Sequence, residues 1–409
     1  MITFKDFLVL EAKNIESLPT KNIGDAMEVI FAIVIGVYLA DGTVNLEKVN
    51  RIKNSTQFRT DASNEILIDS NIAENSWIVN NIPHIKPGNK IAVKVSAYVK
   101  TSAIPYLTQS DLTDDAFKQS VGTLINNWEN SKTIKIIQNY IKNILTDRHP
   151  DRVVFYVVAD GKISSSGPEK GTVKGDVQIT IRADSDIPIP KDLESISFSV
   201  KTENLKVGNP SFFGTLFNLA KSFKIPIIGE IESWDKLPEI ATLRNDLYRY
   251  PAGTGKYANL ADNKNHLFHY IRNYFNLSQK KEEQKQYTYD ILKMFMEYMS
   301  GKFKEASAKN PEEFAAKAFD FIEHQIFGAD KPKAVVRVMP KVYHELSQDD
   351  FRMLKNKYDV EFAPSENTMF FTGVDKQTKE RVSLFNIRLN PTSGSPRFDV
   401  PLGAAFKSV

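Results

Sequence analysis

The chain has 409 residues, of which 42% are hydrophobic, 25% charged and 11% aromatic. This is the make-up of an ordinary globular protein of two or three domains, and it excludes collagen-like, mucin-like and wholly disordered chains. Cysteine is absent, which removes disulfides, thiolate nucleophiles, iron–sulfur clusters and cysteine zinc sites and suits a reducing compartment. Lys and Arg number 53 against 50 Asp and Glu, a formal charge of +3, so any polyanion site must be a local patch.

In chain order, residues 1–14 place Phe4, Phe7, Leu8 and Ala12 on one side of a short amphipathic helix. Residues 1–11 (MITFKDFLVLE) lack the apolar run of a secretory signal, so a cytoplasmic location is expected. The run 26–40 (AMEVIFAIVIGVYLA) is too short to span a bilayer comfortably and carries Glu28, which reads as a buried core helix over 24–40 and no membrane partner. Asp41-Gly42 ends it as a turn. The text from 43 to 150 is mixed, with an alternating strand at 89–100 and amphipathic helices at 111–128 and 131–145.

At 150 the style changes. Strands are expected at 152–158 (RVVFYVV), 177–181 (VQITI) and 195–200 (SISFSV), then an amphipathic helix at 211–223. Residues 230–328 read as mostly helical, most clearly at 287–299 and at 311–327, where Pro311 takes the first turn. Strands return at 334–339, 369–372 and 381–389.

The chemistry concentrates at 174–201. The strand at 177 is entered through Lys174-Gly175-Asp176, and the strand at 195 leaves through Ser199-Val200-Lys201. A hairpin-like connection containing Pro188 and Pro190 would bring Asp176 beside Lys201 at one sheet edge. Phosphodiester hydrolysis uses a hard divalent cation held by oxygen ligands. Asp176 and the Val200 carbonyl supply two such oxygens, and Lys201 can orient water or neutralise the transition state. Glu28 is the candidate third ligand, because a carboxylate inside an apolar helix is costly to bury without a cation or donor to meet it. Glu194 and Glu203, flanking the second strand, are fallback ligands.

These words, KGDVQITI at 174–181 and SISFSVKTEN at 195–204, resemble the PD-(D/E)xK nucleases of the restriction-endonuclease-like fold. A helical Glu ahead of the Asp strand, here Glu28 in GDAMEVIFA, is also a feature of that family. The pattern departs at Gly175, where the motif has Pro, and at Ser199, where it has an acid. The closing text 383–403 looks like the late strand of such nucleases. The resemblance implies an α/β (α+β mixed) core with a mixed sheet flanked by helices. It implies magnesium-dependent DNA cleavage, with manganese as a substitute ion. Asp176, Lys201, Glu28 and Ser199 would be the catalytic set, Asp176, Glu28 and Val200 the metal ligands, and Lys174, Arg388 and Arg397 the DNA-facing cations. The expected core is 20–40, 151–228 and 334–409, with 43–150 an insertion and 229–333 a helical subdomain. The opening MITFKDFLVLEAK also resembles tailed-phage proteins, which would make the location a host cytoplasm. DNA is the expected partner, and a homodimer or another phage protein stays open.

Each feature has a plainer reading. Asp176 can be a turn residue, Lys201 a solvated strand end, and Glu28 a helix residue paired with a neighbouring Lys. The segment 371–409 has six Lys/Arg against three Asp/Glu, which suits phosphate contact or only a solvent face. Gly253-Thr254-Gly255-Lys256 lacks the Ser/Thr and the first Gly of a P-loop, and His266 and His269 lack the rest of a zinc motif. The helical middle interleaves Tyr248, Tyr250, Tyr257, Tyr270 and Tyr274 with Arg and Lys, which fits a bundle or a DNA clamp. A non-catalytic phage structural or DNA-binding accessory protein is the alternative function.

Overall fold

The computed structural model describes residues 23–160 (except 61, 69–72, 75, 86–89, 109–114, 149 and 151), 176–183, 195–202, 206–207, 222–223, 283–327, 333–365, 368–390 and 397–407. The segments 1–22, 184–194 and 230–282 lie outside them, as does nearly all of the 211–223 helix. So do Lys174, Glu194, Glu203, the P-loop-like stretch, His266, His269 and the five tyrosines.

The chain forms helices α1 (Ile23–Asp41), α2 (Leu46–Ser55), strand β1 (Ser63–Ile66), helix α3 (Trp77–Asn81) and strand β2 (Lys90–Tyr98). Helices α4 (Ile104–Leu107), α5 (Asp115–Trp128) and α6 (Lys132–Leu145) precede strands β3 (Arg152–Asp160), β4 (Val177–Ala183), β5 (Ser195–Lys201) and β6 (Lys206–Val207). Helices α7 (Glu283–Lys309) and α8 (Pro311–Phe327) lead to β7 (Ala334–Met339) and β8 (Val342–Ser347). Helix α9 (Gln348–Lys357) and strands β9 (Tyr358–Ser365), β10 (Thr368–Asp375), β11 (Arg381–Asn390) and β12 (Arg397–Pro401) close the chain.

Two compact units result, 1–204 with 327–348 and 205–326 with 349–409. The first holds a mixed sheet in the order β1-β2-β3-β4-β5-β7-β8. Strands β3, β4 and β5 form an antiparallel meander, β2 runs parallel to β3, and β7 runs parallel to β5. The expected α/β class therefore holds, with the segment boundaries revised. The expected insertion, residues 43–150, falls within the first unit. They supply β1 and β2 to this sheet, because Ile91, Val93, Val95 and Ala97 form a buried row along β2 that pairs in parallel register with β3.

The end of the chain is the second revision. Only 334–347 joins the first sheet, whereas β9 to β12 form a separate five-stranded sheet with β6, in the order β6-β12-β11-β10-β9. Strand β10 pairs antiparallel with both β9 and β11, its chain neighbours, and closing such short loops costs little entropy. This sheet has an aromatic core of its own, in which Phe371 stacks on Phe385 with centroids 4.3 Å apart and also meets Phe303, Phe314 and Phe362.

Helix α1 is the centre of the first unit. Of its apolar window, 78% is buried, so its length and hydropathy serve a protein core here. It lies against β2, β3, β4 and β5. Gly36 permits the approach, since a Cβ there would stand 2.5 Å from both Ile68 Cδ1 and Val95 Cγ2. Phe31 packs edge-on to Trp128 of α5 (5.8 Å) and Phe198 of β5 (6.0 Å). These rings fix the helix against the strand that ends at Lys201. A Gly36→Val substitution is expected to lower unfolding stability by roughly 1–3 kcal/mol through overpacking, read as a lower urea midpoint. An unchanged midpoint would show that the helix does not depend on this close approach.

Candidate active site

Register brings one row of residues across the first sheet: Ala97 opposite Ala159, Ala159 opposite Val177, Val177 opposite Phe198, and Phe198 opposite Ala334. Just beyond this row, at one end of the sheet, lie Asp176 before β4, Ser199-Val200-Lys201 at the end of β5, and Lys100 after β2. The crevice beyond the carboxyl ends of parallel strands is where open α/β sheets commonly bind ligands.

Asp176 is held by both backbone and side chain. Its N–H donates to the Phe198 carbonyl (2.8 Å), continuing the ladder by one step. Strand β4 pairs no further, yet β5 runs on. The Asp176 side chain replaces the missing partner, with Oδ2 accepting from the Val200 N–H (2.7 Å). The same oxygen accepts from Ser199 Oγ (2.8 Å) and Lys201 Nζ (3.0 Å). Backbone N–H and C=O of one strand residue face the same neighbour, so the Val200 carbonyl lies on the Asp176 side. None of the three donors meets Oδ1.

Glu28 approaches from α1. It is largely buried, and among the described residues nothing donates a hydrogen bond to its carboxylate. Its pKa is pushed from 4.5 up to about 8, chiefly by burial and next by the negative charge of Asp176, against the opposing pull of Lys100 and Lys201. Glu345 gives the contrast. It is more deeply buried (6% exposed), but it accepts from the N–H groups of Lys132 and Thr133, from Thr133 Oγ1 and from the Tyr343 hydroxyl. That carboxylate caps the start of α6 and is fully employed in structure. Glu28 has no such employment.

A second ion pair stands beside these groups. Asp25, in the first turn of α1, accepts from Lys100 Nζ (2.6 Å) and from Ser102 Oγ (2.5 Å). Burial alone would lower the Lys100 pKa, but Asp25, Glu28 and Asp176 outweigh it and raise it, which keeps the ammonium charged.

The sequence-derived set Glu28, Asp176, Ser199, Val200 and Lys201 is thus assembled from three elements at one place. Lys100, Asp25 and Ser102 were not anticipated. The one available signal was that Asp25 precedes Glu28 by three residues and so shares its helix face. Arg388 is exposed on β11, and Arg397 starts β12, with its side chain outside the described residues. Both belong to the separate sheet of the second unit, not to the sheet that carries Asp176, because β11 pairs with its neighbours β10 and β12.

Chemically, two carboxylates from different elements converge where one resists ionisation, and two ammonium groups flank them. No cluster of three or more His, Cys, Asp or Glu suited to a metal occurs among the described residues, so a cation here would rest on two carboxylates and backbone oxygen. Comparison of the chain with protein-family models, with curated proteins and with solved structures finds no match.

The raised Glu28 pKa carries a sign. A group that titrates at 4.5 unfolded and about 8 folded favours the folded state below 4.5, and that contribution is lost as pH rises towards 8. In metal-free buffer, stability is expected to fall across this window by at most about 1.4 kcal/mol per pH unit from this group. Glu28→Gln should remove that slope and melt above the wild type at alkaline pH. Parallel melting curves for the two proteins from pH 5 to pH 9 would contradict the assignment of a hidden, ionisable Glu28.

Proposed function

We propose that the protein is a metal-dependent nuclease of the PD-(D/E)xK kind, hydrolysing DNA phosphodiester bonds at the end of its seven-stranded sheet. The observation that carries the reading is the convergence of Glu28, Asp176 and Lys201, three residues remote in sequence, on one sheet end. The element order adds support. A core helix bearing Glu28 precedes an antiparallel meander with Asp176 directly before its second strand and Ser-x-Lys on its third, and a later strand joins parallel to the third.

The residues fit a hard divalent cation. Glu28 is a half-buried carboxylate that meets no donor among the described residues, Asp176 keeps Oδ1 clear of its three donors, and the Val200 carbonyl lies on the same side. These three would hold magnesium, with manganese as a substitute. When bound, such an ion supplies Lewis acidity towards the phosphate and a lowered pKa for water. Ser199 stands where the motif has an acid. Its hydroxyl orients the Asp176 carboxylate by donating to Oδ2 and leaves Glu28 as the second acidic ligand. Lys201, anchored on the same oxygen, orients the attacking water and neutralises charge that builds on the phosphate in the transition state. Lys174, Arg388 and Arg397 remain proposed DNA contacts, the last two at a different sheet.

Asp176→Ala and Lys201→Ala are each expected to reduce magnesium-dependent plasmid cleavage by a factor on the order of 100 or more, with unchanged circular dichroism. Manganese should raise the melting temperature of the wild type and not that of Asp176→Ala. Cleavage that survives both substitutions, or a manganese shift that persists without Asp176, would reject the reading and leave a non-catalytic accessory protein.

A further inference from the structure

We infer that Lys100 is a second phosphate-binding cation of this site, held in place by Asp25 and Ser102 as positioning residues. The inference rests on the nuclease reading and deepens it by assigning a substrate contact that the Ser-x-Lys word does not contain.

The argument starts from charge. Glu28 and Asp176 make the sheet end acidic, and a phosphodiester is an anion. A cation bound by those carboxylates answers part of the repulsion, and Lys201 is already tied to Asp176 at 3.0 Å. Lys100 is the other ammonium close enough to act on both Glu28 and Asp176. It follows the end of β2, two strands away from β4 in the sheet order, whereas Lys201 ends β5, the neighbour on the other side. The two carboxylates are therefore flanked by a lysine from each direction.

The geometry of Lys100 suits a ligand contact better than a stability role. Its side chain is 39% exposed, while its partner Asp25 is only 10% exposed. A partly exposed ion pair contributes little to stability. Asp25 is nevertheless engaged on both oxygens, one by Lys100 and one by Ser102. The result is a lysine whose ammonium is anchored on one side while its side chain stays partly open to solvent. An ammonium has three donors. Among the described residues Asp25 takes one hydrogen bond from it, and two donors remain for the non-bridging oxygens of a phosphate. Asp25 also sits one helical turn before Glu28, so the element that presents the carboxylate ligand also sets the position of the cation.

The test uses the full chain and a short fluorescently labelled DNA duplex, with binding followed by anisotropy in EDTA from about 50 to 200 mM salt. Lys100→Ala is expected to weaken binding several-fold and to reduce the slope of log affinity against log salt by about 0.9, the value of one phosphate contact. Lys100→Arg should restore the slope. With magnesium, Lys100→Ala should raise KM more than it lowers kcat, and Asp25→Asn should move KM in the same direction. Equal affinity and slope for wild type and Lys100→Ala, when the wild type does bind and cleave, would overturn this assignment and leave the nuclease reading intact. A wild type that neither binds duplex nor cleaves it would overturn both. Thermal melts of each variant separate a folding loss from a binding loss, and a folded Lys100→Arg that fails to recover the slope also counts against the assignment.

Discussion

One carboxylate oxygen organises this site. Strand β5 outruns its partner β4, and the N–H of Val200 would face an empty edge. Asp176 Oδ2 takes that N–H at 2.7 Å and also receives Ser199 and Lys201. A buried or half-buried donor left unmet costs more than a typical hydrogen bond gains, so the end of the strand and the orientation of Asp176 are parts of one solution. The three donors that finish the sheet all meet Oδ2, and none of them takes up the second carboxylate oxygen. The site is thus built into the way the sheet stops.

Three carboxylates of the first unit meet different surroundings. Glu345 lies at the start of α6 and is met by backbone N–H groups and hydroxyls. Asp25 is met by a lysine and a serine. Glu28 lies on α1, which Phe31 holds against Trp128 and Phe198, and among the described residues it accepts no hydrogen bond from either kind of group. Burial and the negative charge of Asp176 therefore outweigh the pull of Lys100 and Lys201, and the Glu28 carboxyl resists ionisation.

Much of the architecture was readable from local pattern. The alternation at 89–100, the apolar runs at 152–158, 177–181, 195–200 and 334–339, and the Pro-started helix at 311–327 all correspond to elements of the same type. Strand β8 (VYHELS) was not readable, since its burial comes from pairing with β7 and from the role of Glu345. Helix α9 and strand β9 were hidden as well. The polar text of α9 buries only a narrow side, and the outer half of β9 is exposed. Among the site residues, Asp176 and Lys201 were legible because they sit at the ends of strongly patterned strands. Glu28 was legible because an acid in an apolar helix is conspicuous.

Lys100 and Asp25 lay beyond that reach, as did the membership of Arg388 and Arg397 in a second sheet. Residue chemistry and periodicity specify which segments become helix or strand and which side chains are able to hold a cation or a phosphate. They do not specify register, and register is what lines up Ala97, Ala159, Val177 and Phe198 and thereby carries four strand ends to one place. That alignment arises from long-range packing under α1, a sum of many weak contacts spread over the unit, and no local stretch of sequence encodes such a sum.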